Sequence, residues 1–378
     1  MSGYTVLILG AGASIAYGLP LGNELVKEIS ELLPSSNTDR GKSHQVLLDQ
    51  LRKDSAITAE WDKHYSLNLV HALILFRQKL VGSEPKSIDA FLSGDFGPLT
   101  TVFRQIGKLA IAHVIAKRES LSIFQTIEES TAKDDSRPKD HWYRYLWQDC
   151  LKVGSQSLDD LKAKKLRVVS FNYDRSLEYF LGWKIAATFP THAGKMLYPE
   201  KIQQWAADGF KEIETNFQVI HPYGNLGSLS EVPYGDKDNF ERHGARIANK
   251  IRVIGEERDN SGDNFAIARN WIAEARFVVF LGFSYDTTNM ERLGLKNGLA
   301  RMTKRGSDTP RLTDVFPLTH GFERSERARL YSEYFSSHFD QTVEVVSDPK
   351  NDRTPMSELH QGISITQYLR RYGALTHL

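Results

Sequence analysis

Apolar positions change their period along the chain. Tyr4 to Leu9 is a short, nearly continuous apolar run ending at Gly10, the pattern of a strand buried on both faces of a parallel sheet. A helix is expected from about Leu21 to Leu33, stopped by Pro34. From Gln45 to about Leu161 apolar residues recur at helical spacing. Leu67, Val70 and Ile74 mark one face, Leu99, Val102, Phe103, Ile106 and Ala110 another, and Trp142, Tyr145 and Leu146 a third. Strand signals return at Arg167–Phe171, Phe217–Ile220, Lys250–Ile254, Arg276–Leu281 and Thr342–Val346, with helical or loop segments between them. Polar stretches at Pro34–Ser43, Ser130–Asp140, Ser230–Gly244 and Glu256–Asn264 read as loops.

Strands that alternate with helices argue an α/β fold with a parallel sheet. The simplest architecture is a Rossmann-like parallel sheet with a largely helical insertion after the first strand. Residues 1–34 and 164–378 would form the sheet domain and 35–163 the insertion. An ordinary dinucleotide-binding unit would place a second strand and an acidic residue roughly 20 positions after the glycines. No such acid-bearing strand appears here, and the pattern turns helical instead.

Charge narrows the partners. Lys plus Arg number 48 against 47 Asp plus Glu, so no global field draws the chain to nucleic acid or to an acidic membrane. The single cysteine, Cys150, excludes an internal disulfide and a zinc site of paired cysteines, and reads as a buried structural thiol. The opening residues lack the features of a secretory signal, and no apolar run approaches the roughly 20 residues of a membrane span. A cytoplasmic location is expected.

Four short segments carry candidate chemistry. Gly10-Ala11-Gly12-Ala13-Ser14 follows the first strand, and glycines at such a turn let backbone N–H groups approach a pyrophosphate. Asn172 ends the next strand, where its amide could hold ribose hydroxyls or a water; Asp174 suits a helix cap or a support behind Asn172. His221 ends the third and opens His-Pro-Tyr-Gly, a type I turn that would fix the imidazole, which is the natural general base. Gly282-Phe283-Ser284 follows a later strand and offers Ser284 to ribose or phosphate, or alternatively a helix cap by Ser284 or Asp286. Asp286 stands where a serine-hydrolase elbow needs its second glycine. Each segment is expected at the carboxyl end of a strand, so one crevice should collect them.

With Gly18-Leu19-Pro20 and Ser87-Ile88-Asp89-Ala90-Phe91-Leu92 added, these segments resemble the sirtuin superfamily, and more closely its sirtuin-like NADases of bacterial antiphage defence. The chain departs from sirtuin deacylases: it lacks their four-cysteine zinc ribbon, reads Leu21-Gly22-Asn23-Glu24 where they carry Asp-Phe-Arg, and follows His221 with Pro-Tyr-Gly. The resemblance implies hydrolysis of NAD to nicotinamide and ADP-ribose, as an abortive-infection response, without a metal. Asn172 and His221 would stand at the chemistry, with Gly10, Ala11, Gly12, Ala13, Ser14, Asp174, Gly282 and Ser284 around the dinucleotide. It also implies control by homo-oligomer assembly or by a HerA-like ATPase partner. The alternatives are a sensor that binds NAD or ADP-ribose without turnover and an NAD-dependent protein deacylase. A hydride-transfer dehydrogenase and a degenerate scaffold rank below them.

Overall fold

The computed structural model describes residues 3–124 (except 38, 40 and 66), 141–189, 211, 213, 217–253, 263–295, 314–317, 365–372, 375 and 378. Five strands are seen among the described residues: β1 (Tyr4–Leu9), β2 (Leu166–Ser170), β3 (Gln218–Ile220), β4 (Ala275–Leu281) and β5 (Asp314–Pro317). They form one all-parallel sheet in the order β3-β2-β1-β4-β5. The fold is therefore α/β, as the alternation of periods implies.

β1 lies at the centre, with Leu7 beside Val168 of β2 on one side and Val279 of β4 on the other. Successive side chains point to opposite faces, and the apolar core divides accordingly. Val6 and Ile8 join Val169, Val278 and Phe280 on one face, whereas Leu7 and Leu9 join Val168, Val279 and Leu281 on the other. Helices cover both faces, the arrangement that lets parallel strands be apolar throughout.

The stretch between β1 and β2 supplies both layers. α1 (Gly22–Leu32), α2 (Lys42–Arg52), α3 (Ser55–His64), α4 (Leu69–Ser83), α5 (Ile88–Leu92) and α6 (Thr100–Ser120) contribute to the first core. The later helices Asn239–Ala248 and Asn264–Glu274 join them there. Trp142–Leu151, whose second half is a π-helical turn, packs on the opposite face with Ser176–Thr188.

Several local expectations need correction. α4 buries Leu69, Ala72, Leu73, Phe76 and Leu80, whereas Leu67 is 47% exposed and Val70 and Ile74 are only partly covered. The helix turns its fuller apolar stripe inward. Lys250–Ile254 is not a strand over its described residues: Ile251 and Val253 are buried, but Ile251 N–H returns to Ala248 O and Arg252 N–H bonds Tyr223 O at 2.8 Å. Alternating burial there belongs to a core connector without a ladder. Within Ser230–Gly244 a helix already begins at Asn239, and α2 begins at Lys42 within the expected Pro34–Ser43 loop. The Thr342–Val346 strand, the Ser130–Asp140 loop and most of the Glu256–Asn264 loop lie outside the described residues. Among the described residues, no helix is long and apolar enough to cross a membrane.

Candidate functional site

Because every strand runs the same way, the segments after β1, β2, β3 and β4 all open on one edge of the sheet. The order reverses direction between β1 and β4, the place where open α/β sheets form a crevice. Gly10–Ser14, Asn172, His221 and Gly282–Ser284 are the residues that leave the strands at that edge.

The glycine turn folds as two short 3₁₀ turns, Ala11–Ala13 and Ile15–Tyr17. Its N–H groups are largely engaged within the chain. Gly10 N–H bonds Leu281 O and Gly12 N–H bonds Gly282 O, both at 3.0 Å, while Ala13 and Ser14 close back onto Gly10 and Ala11. The glycines serve close approach. A Cβ on Gly10 would lie 2.5 Å from the Gly282 oxygen, and one on Gly12 2.8 Å from the Gly282 Cα. At the start of α1 the Glu24 carboxylate accepts the Leu21 N–H at 2.8 Å, placing a negative charge where the helix favours an anion.

Asn172 ties three of the segments together. Its Nδ2 donates to Gly10 O and to Ser14 Oγ, both at 3.0 Å. A carbonyl oxygen can only accept, so the amide orientation is fixed. Oδ1 therefore faces the other way, is buried, and meets no donor among the described residues. The main-chain oxygen of Asn172 accepts from His221 Nδ1 at 2.8 Å.

His221 is held on every side. Its carbonyl accepts Gly224 N–H at 3.0 Å, closing the His-Pro-Tyr-Gly turn, and also Asn264 Nδ2 at 2.8 Å. Gly224 has φ +73, and a Cβ there would lie 1.9 Å from Lys250 O. The ring's Nε2 lies 2.6 Å from Glu178 Oε1. His221 is 6% exposed and Asn172 8%. Burial alone would push the imidazole pKa down; the charge and hydrogen bond of Glu178 outweigh it, and the net shift is upward.

Around this pair lies a buried polar web. Asp174 accepts from the N–H and hydroxyl of Ser176 at the start of the helix Ser176–Thr188, and burial pushes its carboxyl pKa up. Tyr143 OH meets Ser176 Oγ at 2.7 Å, and Trp142 Nε1 donates to Ala13 O at 2.8 Å, so the glycine turn is braced from the opposite layer. Arg175 forms a buried pair with Glu119 of α6 at 2.5 Å and donates to the carbonyls of Gly227 and Val232. Sequence reasoning missed Glu178, Arg175, Glu119 and Tyr143. The one available signal was Glu178 itself, an acidic residue amid Leu177, Tyr179, Phe180 and Leu181 in a helix apolar on all sides.

Ser284 is exposed, and Asp286 caps the helix Thr287–Arg292 through Thr288 and Asn289 N–H. Of the two capping alternatives the structure chooses Asp286. Beside it, Tyr173 OH donates to Asp89 at 2.5 Å, and Tyr223 OH donates to Asn289 while accepting from Arg292 at 3.0 Å. Burial, opposed by the Tyr173 hydroxyl, pushes the Asp89 carboxyl up to about 6. No cluster of three metal-ligating side chains occurs among the described residues. Comparison of the chain with family models, with curated proteins and with solved structures finds no match.

Proposed function

We propose that the chain binds NAD at the carboxyl edge of a Rossmann-like sheet and hydrolyses the nicotinamide–ribose bond. The observation that carries this reading is Asn172: one side chain bonds the glycine turn after β1, its backbone bonds His221 after β3, and its buried Oδ1 remains an acceptor. A ribose hydroxyl or a water supplies the donor such an oxygen calls for. Support also comes from the strand order, which is that of dinucleotide-binding sheets.

The chemistry asks little beyond positioning. The bond to the pyridinium nitrogen breaks with its electron pair, nicotinamide leaves neutral, and water adds to the cationic ribose carbon and sheds a proton. A site that orients the ribose and stabilises the oxocarbenium-like carbon suffices, without metal or second substrate. Unregulated turnover would drain the cell of NAD. The proposal therefore includes control through self-assembly or a HerA-like ATPase, in keeping with the resemblance to antiphage NADases.

A second reading, a module that holds NAD or ADP-ribose intact, is favoured by one observation: both ring nitrogens of His221 are already engaged. Nicotinamide release by the full chain, alone and with the ATPase, separates the two. Release that Asn172→Ala lowers on the order of 10²-fold is expected for the hydrolase. Intact NAD recovered from every arm refutes it.

A further inference from the structure

We propose that Glu178 holds His221 as an imidazolium, and that the charged ring positions Asn172 instead of serving as the base of the reaction. The argument is one of donors and acceptors. The Asn172 carbonyl can only accept, so Nδ1 carries a proton. An ionised Glu178 can also only accept, and at 2.6 Å from Nε2 it lies at the distance of a charge-assisted bond. Two acceptors on one imidazole require both nitrogens to be protonated.

The charges nearby agree. Glu178 and Asp174 face the ring from the turn and helix after β2, and Glu119 of α6 stands behind them, paired with Arg175. Asn264, which opens the helix packed against the His221 turn, contributes a neutral amide that bonds the His221 carbonyl. The Arg175 guanidinium pairs with Glu119, and a positive charge on His221 pairs with Glu178. An upward shift of the ring pKa accords with this.

The consequence is a chain of restraint from Glu178 to His221 to the Asn172 peptide. Gly10 O and Ser14 Oγ fix the same residue's amide, so its Oδ1 is aimed by bonds at both ends. Glu178 and His221 are then positioning residues, and Asn172 is the group that meets the ribose or water. This last assignment rests on the proposed NAD hydrolysis; the charge state of the ring does not.

The test begins with nitrogen NMR of the full chain carrying ¹⁵N-histidine, the His221 signal being identified by its loss in His221→Gln. Both ring nitrogens protonated at neutral pH is the expected result, with Glu178→Gln giving a ring protonated on one nitrogen only. A neutral His221 ring in the wild type, or a ring unaffected by Glu178→Gln, overturns the proposal. The second readout is the pH profile of nicotinamide release. A positioned imidazolium keeps the rate level where an ordinary histidine titrates and loses it on the alkaline side. Glu178→Gln should move that loss to lower pH and cut kcat on the order of tenfold with KM unchanged. A rate that instead climbs as an imidazole deprotonates is the signature of a base and refutes it. If the wild type releases no nicotinamide under any activation, the hydrolase reading fails, and the NMR result alone decides the pair.

Discussion

The N–H of Gly12 donates to the carbonyl oxygen of Gly282 across 3.0 Å, joining the turn after β1 to the turn after β4 where the strand order reverses. This contact brings two backbones together more closely than any side chain would allow. Gly282 has φ +58, and a Cβ there would stand 2.0 Å from Ala13 N and 2.3 Å from the Gly12 carbonyl carbon.

Gly282→Ala should therefore destabilise the protein by about 3 kcal/mol or more, from positive φ and backbone collision together. Thermal unfolding measures it. An unchanged Tm would show that the two turns can separate without cost.

The Arg175–Glu119 pair is fully buried, and Arg175 also serves the carbonyls of Gly227 and Val232. Removing the cation in Arg175→Met leaves a carboxylate unpaired, at a cost of about 3–5 kcal/mol. Arg175→Lys should recover only part of this, because a single ammonium cannot reproduce the guanidinium fork. Urea unfolding of both variants checks the order; equal stability of Lys and Arg at this position would contradict it.

Asp89 gives a pH dependence with a definite sign. Its carboxyl, raised by burial from 3.8 to about 6, binds a proton more tightly folded than unfolded. Its contribution to stability is thus full below 3.8 and is lost as pH rises to about 6. Wild type should lose stability relative to Asp89→Asn across that window. Parallel stability curves for the two proteins would exclude the shift.

Cys150 lies buried beside Tyr145, and burial pushes its thiol up to about 11. Thiol reagents act on the thiolate, so labelling at neutral pH should be slow in the native protein and fast in urea. Rapid native labelling would place the sulfur at the surface.

Much of this was legible in the sequence, and the limits have physical causes. β1, β2 and β4 announced themselves as apolar runs that end in glycine or Asn172, because strands buried on both faces admit little else, and the edge strand β3 showed only as a short run ending in His221. β5 escaped because Asp314 and Pro317 bound only two apolar residues, a composition that period cannot distinguish from a loop. Lys250–Ile254 misled for the converse reason, since burial of a connector imitates the alternation of a strand. Meeting of Asn172 with His221 followed from parallel strands sharing an edge. The hold of Glu178 on His221 did not, because pairing across 43 positions leaves no periodic trace.

The central place of β1 also shapes how the molecule is made. Thr5 sits beside Leu166 on one side and Phe277 on the other. During synthesis this strand emerges with neither neighbour yet translated, and its most apolar residues wait until β4 has been made. Such distant pairings fold slowly and leave aggregation-prone edges exposed meanwhile. The glycine turn, Asn172 and Gly282 consequently meet only once β4 has been made, so a truncated product that stops before β4 has an unfinished sheet and no assembled rim.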